Sequence, residues 1–408
     1  VTVYVYDMGQ NAAGGVRLTV PAGCRAGHRI QVFFGEALYT ANGSSPRARV
    51  AGAPSQGTAG TVDQTNLLGA KARIEFICAG SPKATWYEPT FTYFGYQFAE
   101  LVGYPGVPTL DTLQQRIIHS DVESAPSDVG IPRTPNGAID MGGNTLLRSI
   151  SSAVKSTLIA NLYSVPTDCP QRSERWGWMA DGSLSAEANY HYHWPSEMYR
   201  SWLTLMQDVQ DDPNAGCKAV QGPQGDSNLG GDGRPNCSGS VGIITPGISP
   251  LSSLQSLPGE ASWSIAYPLV FSLQHRYMAD ASLARSMFPG IRNYVGFMDW
   301  VARNSTVSGL TSFVQFGDWL SPRPSKIVDE MSSAFNHAQA IRIARDTAKA
   351  LGHPSAESYS AAYSQAQRGF HAAYYKNGTY GNGEQAALVY ALYLGSAPAH
   401  ISAAVLAL

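Results

Sequence analysis

Four residues able to move protons or grip polar ligands crowd one short stretch, V-P-T-D-C-P-Q-R-S-E-R-W-G-W-M-A-D (residues 165–181): Asp168, Arg172, Glu174 and Asp181. Trp176 and Trp178 stand among them. Pro166 and Pro170 rule out a regular helix across the first half, because proline lacks the amide hydrogen and crowds the preceding turn. Asp168 to Glu174 is therefore expected as a rigid loop that leads into a helix further on. Carboxylates accept hydrogen bonds from hydroxyls, and an indole stacks on the apolar face of a sugar ring. The plain alternative is a surface turn with salt bridges. Only 14% of the chain is charged, so clustering of this kind argues for a site.

The pattern D-C-P-Q-R-x-E-R-x-G-W-x-x-D resembles the signature of the family 78 glycoside hydrolases, the α-L-rhamnosidases. The resemblance implies that Glu174 is the general acid. It also implies that Asp168, Arg172, Trp178 and Asp181 bind the sugar. Further on, S-W-S-I-A-Y-P-L (Ser262 to Leu269) resembles the family's Trp-containing helix start, and F-G-D-W-L-S-P (Phe316 to Pro322) its Gly-Asp-Trp-Leu loop. By that resemblance Trp263 and Trp319 stack against the sugar and Asp318 binds it. The plain readings are core packing for the tryptophans and a turn or cap for Asp318. Ser173 stands where an acidic residue is common in the family, and Ser264 and Ile265 where Gly and Asp are frequent.

Two kinds of element must position these residues. Residues 1–117 carry short runs rich in Val, Ile, Tyr and Phe, at Val3–Tyr6, Val16–Val20, Arg29–Phe34, Ala72–Ile77 and Tyr96–Val102, with Gly, Pro and Asn between them. Such spacing predicts a β-sandwich. Tyr6–Gly14 and Phe91–Phe98 resemble the opening and closing strands of the family's antiparallel β-sandwich. Asp7, Gln10 and Asn11 are expected to brace a turn. Residues 40–66 read as a long mobile excursion. A Pro-, Ser- and Gly-rich connector follows, and the domain boundary is placed at 118–142. From residue 143 onward the pattern turns helical. Asn144 or Thr145 is expected to cap a helix with Leu146, Leu147, Ile150, Val154, Leu158 and Leu162 on one side. Ala186–Gln210 is expected to be helical, with Pro195 interrupting its early part so that the regular helix starts near it, and residues 211–258 are expected as a functional loop or insertion. Helices are predicted at Trp263–Met278, Ala281–Ala302, Val328–Leu351, Ser355–Tyr375 and Gln385–Leu394. Antiparallel helix pairs suggest an α/α barrel or solenoid, and the resemblance selects an (α/α)6 barrel.

Composition bounds the rest. The 408 residues carry 28 Lys plus Arg and 30 Asp plus Glu, a formal net charge of −2. Such a chain has no electrostatic footprint for nucleic acid or an anionic membrane, and no apolar run long enough to span one. The absence of Met at position 1 and of a signal peptide leads to the expectation of a processed or partial chain. Sequons at Asn42, Asn236, Asn304 and Asn377, with a Lys-poor composition, favour a secreted, glycosylated eukaryotic protein. In that setting Cys217 and Cys237 are expected to pair, Cys24 and Cys78 are a second candidate pair, and Cys169 is left over. His191 and His193, at i and i+2, do not share a helix face and read as pocket-wall or surface residues. The histidine and carboxylate spacing asks for no zinc, and no cofactor is expected.

Glycoside hydrolysis generally needs two carboxyl groups, roughly 6.5–9.5 Å apart when the anomeric centre inverts. The second is not found in this chain. Glu384, beside Gly383 at a helix start, reads as a cap instead. Twelve barrel helices at roughly 25–30 residues each exceed the space after residue 143, so the barrel is expected to be incomplete here, finished by a further C-terminal segment or chain. The expected function is removal of terminal α-L-rhamnose from rhamnose-containing carbohydrates by inversion. The alternative is a catalytically inactive, rhamnosidase-like sugar-binding or extracellular structural glycoprotein.

Overall fold

The computed structural model describes residues 2–46, 57–124, 135, 140, 144–211, 239–247, 260–303, 305–312, 316–317, 319 and 329–406. Asn236, Asn304, Cys217, Cys237 and Asp318 lie outside the described residues. The chain forms two compact units, one of residues 1–176 with 191–194, the other of 177–190 with 195–408. Among the described residues no helix is long and apolar enough to cross a membrane.

The first unit is built on an antiparallel sheet. Its strands are β1 (Val3–Val20), β2 (Arg29–Gly35), β5 (Arg73–Ile77), β6 (Thr85–Tyr87), β7 (Phe94–Val102) and β8 (Leu113–Ile117), with the ribbon β3 (Ala37–Leu38) and β4 (Val62–Asp63) beside them. The sheet order is β5-β2-β7-β1-β6, and β8 also pairs with β1. Two predicted strands are thus one: β1 runs through Val3–Tyr6 and Val16–Val20, with its register on β7 slipping between Asp7 and Ala12. Asp7 braces that irregularity by accepting the Gly9 amide at 2.8 Å, while Asn11 donates to Glu36 and Gln10 to Ser156. Alternate residues of β1, β2 and β7 (Val16, Leu18, Ile30, Val32, Phe34, Tyr96, Leu101) fill one core. Burying each such side chain contributes about 1.5–3 kcal/mol. The Tyr96 hydroxyl, deep in that core, donates to the Gly15 carbonyl at 2.6 Å.

The excursion expected to be mobile is ordered where described. Asp63 of β4 is buried and accepts bonds from Ser45 and from the amide and hydroxyl of Thr65. A buried carboxylate needs such partners, and they tie the segment down. Cys24 and Cys78 form a disulfide; Cys169 is a buried free thiol.

The first unit also holds β9 (Glu123–Ser124), α1 (Thr145–Ile159), the hairpin β10 (Leu162–Tyr163) and β11 (Val165–Pro166), and β12 (His193–Trp194), which pairs with β9. Asn144 caps α1, its side chain accepting the Leu147 amide at 3.1 Å. The stripe expected on one side is unevenly covered: Leu146, Leu147 and Ile150 are exposed, Val154 and Leu158 are half-buried, and Leu162, beyond the helix end, is buried. His193 is buried, not a surface residue.

In the second unit, α3 (Ser196–Asp211) is the regular helix expected to start near Pro195, and a separate helix, α2 (Met179–Tyr192), precedes it. Pro195 separates them, and its carbonyl accepts the Tyr199 amide in the first turn of α3. Then follow α4 (Ala261–Ser264), α5 (Ala266–Met278), α6 (Ala281–Ala302), α7 (Asp329–Ala350), α8 (Ala356–Tyr374), a small ribbon of β13 (Tyr375–Lys376) and β14 (Thr379–Tyr380), α9 (Gln385–Leu394), and α10 (Ala399–Leu406), which the sequence reading missed. α7 is the hub, packing on α4, α5, α6, α8 and α9. Its buried positions include Ala334, Ala338, Ala344 and Ala348. Small side chains let several helices approach one axis closely.

Candidate active site

The loop between Asp168 and Trp176 is closed at its neck by its own ends. The Asp168 amide donates to the Trp176 carbonyl at 3.1 Å, and the Trp176 amide donates to Asp168 Oδ1 at 2.7 Å. Arg172 sits inside the loop. Its Nη2 is 2.8 Å from Glu174 Oε2 and 3.6 Å from Asp168 Oδ2, and its Nε donates to Cys169 Sγ at 3.3 Å. One guanidinium thus organises both carboxylates. Asp168 is almost wholly buried, whereas Arg172 and Glu174 keep about a third and a quarter of their side chains open. The structure therefore brings Asp168, Arg172 and Glu174 together, with Asp168 buried and the Arg172–Glu174 pair partly open.

The sheet supports this loop. Gly95 of β7 lies against it: a Cβ there would stand 2.8 Å from Pro170 Cγ and 2.9 Å from the Gln171 nitrogen. Arg175 adopts a left-handed backbone (φ 55°), uncommon for a residue with a side chain. Its Nε donates to the Arg172 carbonyl at 2.9 Å, and its guanidinium lies 4.6 Å from the Tyr93 ring centre. Tyr93 stacks in turn on Tyr163 at 3.7 Å. Burial raises the Tyr93 hydroxyl above its ordinary pKa, against the pull of Arg175.

Asp168, Cys169 and Glu174 present ligand atoms within 4.8 Å of one another, a set that could hold a metal ion. The Arg172 guanidinium already touches all three. Burial, aided by the Asp168 carboxylate, pushes the Cys169 thiol up to about 11. The three donors are thus already engaged by the arginine.

Trp178 and Asp181 belong to the second unit. The backbone on either side of Trp178 is paired: the Gly177 carbonyl accepts the Thr245 amide and the Met179 amide donates to the Ile243 carbonyl, each at 2.9 Å. Asp181 is exposed in the first turn of α2, where a carboxylate is favoured by the helix dipole.

Trp263 and Trp319 meet in the same unit. Their ring centres lie 6.1 Å apart, edge to face, and Phe316 completes the corner at 4.7 Å from Trp263 and 5.5 Å from Trp319. Trp263 is buried and Trp319 is 59% exposed. Glu260, which the sequence reading missed, caps this corner. It is wholly buried, and its Oε2 accepts the Trp263 amide at 2.7 Å. Its signal in G-E-A-S-W was an acceptor three residues before Trp263, the spacing of an N-cap. Glu384 does stand at the N-cap of α9, but its side chain makes no capping hydrogen bond. A pocket of about 440 Å³ opens elsewhere in the helical unit, lined by Asp299, Arg303, Ser305, Ser308 and Gln365 among others; none of the expected site residues borders it.

Two family models match the chain. The model of the bacterial α-L-rhamnosidase 6 hairpin glycosidase domain matches residues 142–407, and that of the bacterial α-L-rhamnosidase concanavalin-like domain matches residues 1–119. The chain belongs to the bacterial α-L-rhamnosidase family. Similar curated family members include the α-L-rhamnosidase of Streptomyces avermitilis, 23% identical over 91% of this chain and 29% of that protein. One from Formosa agariphila is 24% identical over 78% of this chain and 28% of its own length. The chain thus spans about a third of the length of the curated rhamnosidases it matches. Among solved rhamnosidases, that of Dictyoglumus thermophilum superposes with a TM-score of 0.76 at 27% identity, over 98% of this chain and 38% of the other. The S. avermitilis enzyme complexed with L-rhamnose gives 0.77 at 21% identity, over 98% and 32%, and shares the fold.

Proposed function

We propose that this protein hydrolyses terminal α-L-rhamnosides with inversion, Glu174 donating the proton to the leaving oxygen. The observation that carries the reading is the closed loop in which Arg172 holds Asp168 and Glu174 together. In a chain of the rhamnosidase family, that loop supplies a partly open carboxyl group, Glu174, on a rigid support. Asp168, Arg172, Trp178, Asp181, Trp263, Asp318 and Trp319 are proposed as sugar contacts: carboxylates and guanidinium for hydroxyls, indoles for the apolar ring face. The second carboxyl group, which activates water from the opposite face, is not assigned to any residue here. Secretion is proposed from the Cys24–Cys78 disulfide. Exposed Asn42 and Asn377 are proposed as glycosylated, together with Asn236 and Asn304.

The test is release of 4-nitrophenol from its α-L-rhamnoside by the natural protein and by Glu174→Gln, which keeps shape and removes the donor. A general acid contributes about 10²–10⁴-fold, so the variant should lose at least about 100-fold in kcat. A weakly acidic alkyl leaving group needs the proton more than nitrophenol does, so the loss should be larger on an alkyl rhamnoside. Full activity in the variant overturns the acid assignment. No hydrolysis by the natural protein, with rhamnose still bound, returns the reading to a sugar-binding protein.

A further inference from the structure

We propose that Arg175 is a positioning residue: seated on the Tyr93 ring, it holds the Arg172 carbonyl and so fixes the two residues between them, Ser173 and Glu174, where Glu174 acts. This rests on the reading of Glu174 as the general acid. Glu174 stands between the two arginines in sequence, and each restrains it differently. The Arg172 guanidinium meets its carboxylate at 2.8 Å. Arg175 Nε donates to the Arg172 carbonyl at 2.9 Å, which closes a small ring of chain around Ser173 and Glu174. An ion pair partly open to water holds little by itself, because solvent screens it and two long side chains must be ordered. A carbonyl bonded to a charged donor is held more firmly. The Arg175 bond therefore carries the placement of the segment, and the ion pair carries its orientation.

The backbone gives a second, independent sign. Arg175 has a φ of 55°. A residue with a side chain keeps that conformation only where its surroundings over-determine it. Directly beyond, Trp176 closes the neck on Asp168 through both its amide and its carbonyl. Arg175 thus reverses the chain between the Glu174 segment and the neck. Glycine would make the same turn at lower cost, so the side chain is what the position gains from the strain. Its seat is well braced. The guanidinium lies 4.6 Å from the Tyr93 ring centre and 5.9 Å from that of Phe94. Tyr93 stacks on Tyr163 at 3.7 Å, and the Tyr163 hydroxyl donates to the Ile118 carbonyl. A planar guanidinium can lie on a ring and donate from its edge at once, which an ammonium cannot.

The experiment measures kcat on an alkyl and on a 4-nitrophenyl α-L-rhamnoside for the natural protein, Arg175→Lys, Arg175→Gly and Tyr93→Leu, with thermal melts to confirm folding. Glycine suits the backbone and removes the side chain, and lysine keeps the charge without the plane. We expect each folded Arg175 variant to lose at least about tenfold in kcat on the alkyl rhamnoside. The loss on the nitrophenyl substrate should be smaller, because its leaving group needs the proton less. Tyr93→Leu should show the same split, and Arg175→Lys with Tyr93→Leu should lose no more than the worse single variant. Equal losses on both substrates, or kcat within about twofold of the natural protein, make Arg175 a stabilising contact only and overturn the proposal. Losses that multiply in the double variant also overturn it, since seat and tie would then act separately. Should one Arg175 variant fail to fold, the other decides. If the natural protein hydrolyses neither substrate, the rhamnosidase reading itself fails, and this inference with it.

Discussion

Glu260 is the residue whose environment departs furthest from water among the carboxyl groups near the proposed sugar contacts. Burial pushes it from 4.5 up to about 7. A carboxyl group raised in the folded state favours the fold when neutral. Its contribution is therefore fully present below 4.5 and is lost as pH rises through about 7. Tyr294 is the titratable group facing it from α6. Glu260→Gln has no proton to lose, so its melting temperature relative to the natural protein should climb between pH 4.5 and about 7. A flat difference across that window would mean that the site is not desolvated. Arg175 differs from the motif and from Glu260 in how it could be read. Asp168, Arg172 and Glu174 find one another within a few residues, so type and spacing sufficed. Glu260 caps the Trp263 turn from three residues away, at a spacing that could be read, whereas Arg175 depends on Tyr93, far along the chain, a partnership not visible in local spacing.

At the level of elements, the support for the loop is a glycine on a strand. Gly95→Ala should place a methyl group against Pro170 and Gln171, which the backbone can relieve only by moving the loop. The expected cost is about 1–3 kcal/mol of stability, as for other overpacked sites. The diagnostic is a drop in rhamnoside hydrolysis at a temperature where circular dichroism shows the variant fully folded. Unchanged hydrolysis would show that the loop does not need its seat on β7. α7 offers a second test. Ala338→Leu puts bulk where the neighbouring helices converge on α7, and should destabilise by about 1–3 kcal/mol in urea melts. Periodicity made α6 and α9 legible to the residue, because each repeats apolar positions on a helical spacing. It missed α2, whose sequence carries Gly182 and scattered serines with little apolar stripe. It split β1, because the slip near Asp7 breaks the alternation that marks a strand. It found the apolar stripe of α1 but not that Leu146, Leu147 and Ile150 are exposed, since periodicity reports a stripe and not what covers it.

Across the whole molecule, the two units close their cores by different means. The sheet core is cross-linked by Cys24–Cys78, which spans 54 positions of sequence. Replacing both cysteines by serine should cost about 2–4 kcal/mol, chiefly by freeing the unfolded chain. The reading is the fall in melting temperature under oxidising conditions, and a reductant should lower only the natural protein. The helical unit has no such link among the described residues and relies on packing around α7. The order of a sheet domain before a helical one was legible from alternation giving way to helical spacing.

The loop that carries Glu174 follows the connector in sequence, yet it belongs to the compact unit of the sheet. Gly95 lies beneath it and Tyr93 beside it. Exchange of the amino-terminal module between relatives would therefore be constrained. A recombinant that kept Glu174 but received a foreign strand in place of β7 would inherit the proposed proton donor without its seat. Descent should couple the two: a side chain gained at position 95 calls for a compensating change at Pro170 or Gln171, and the pair should vary together as one heritable character.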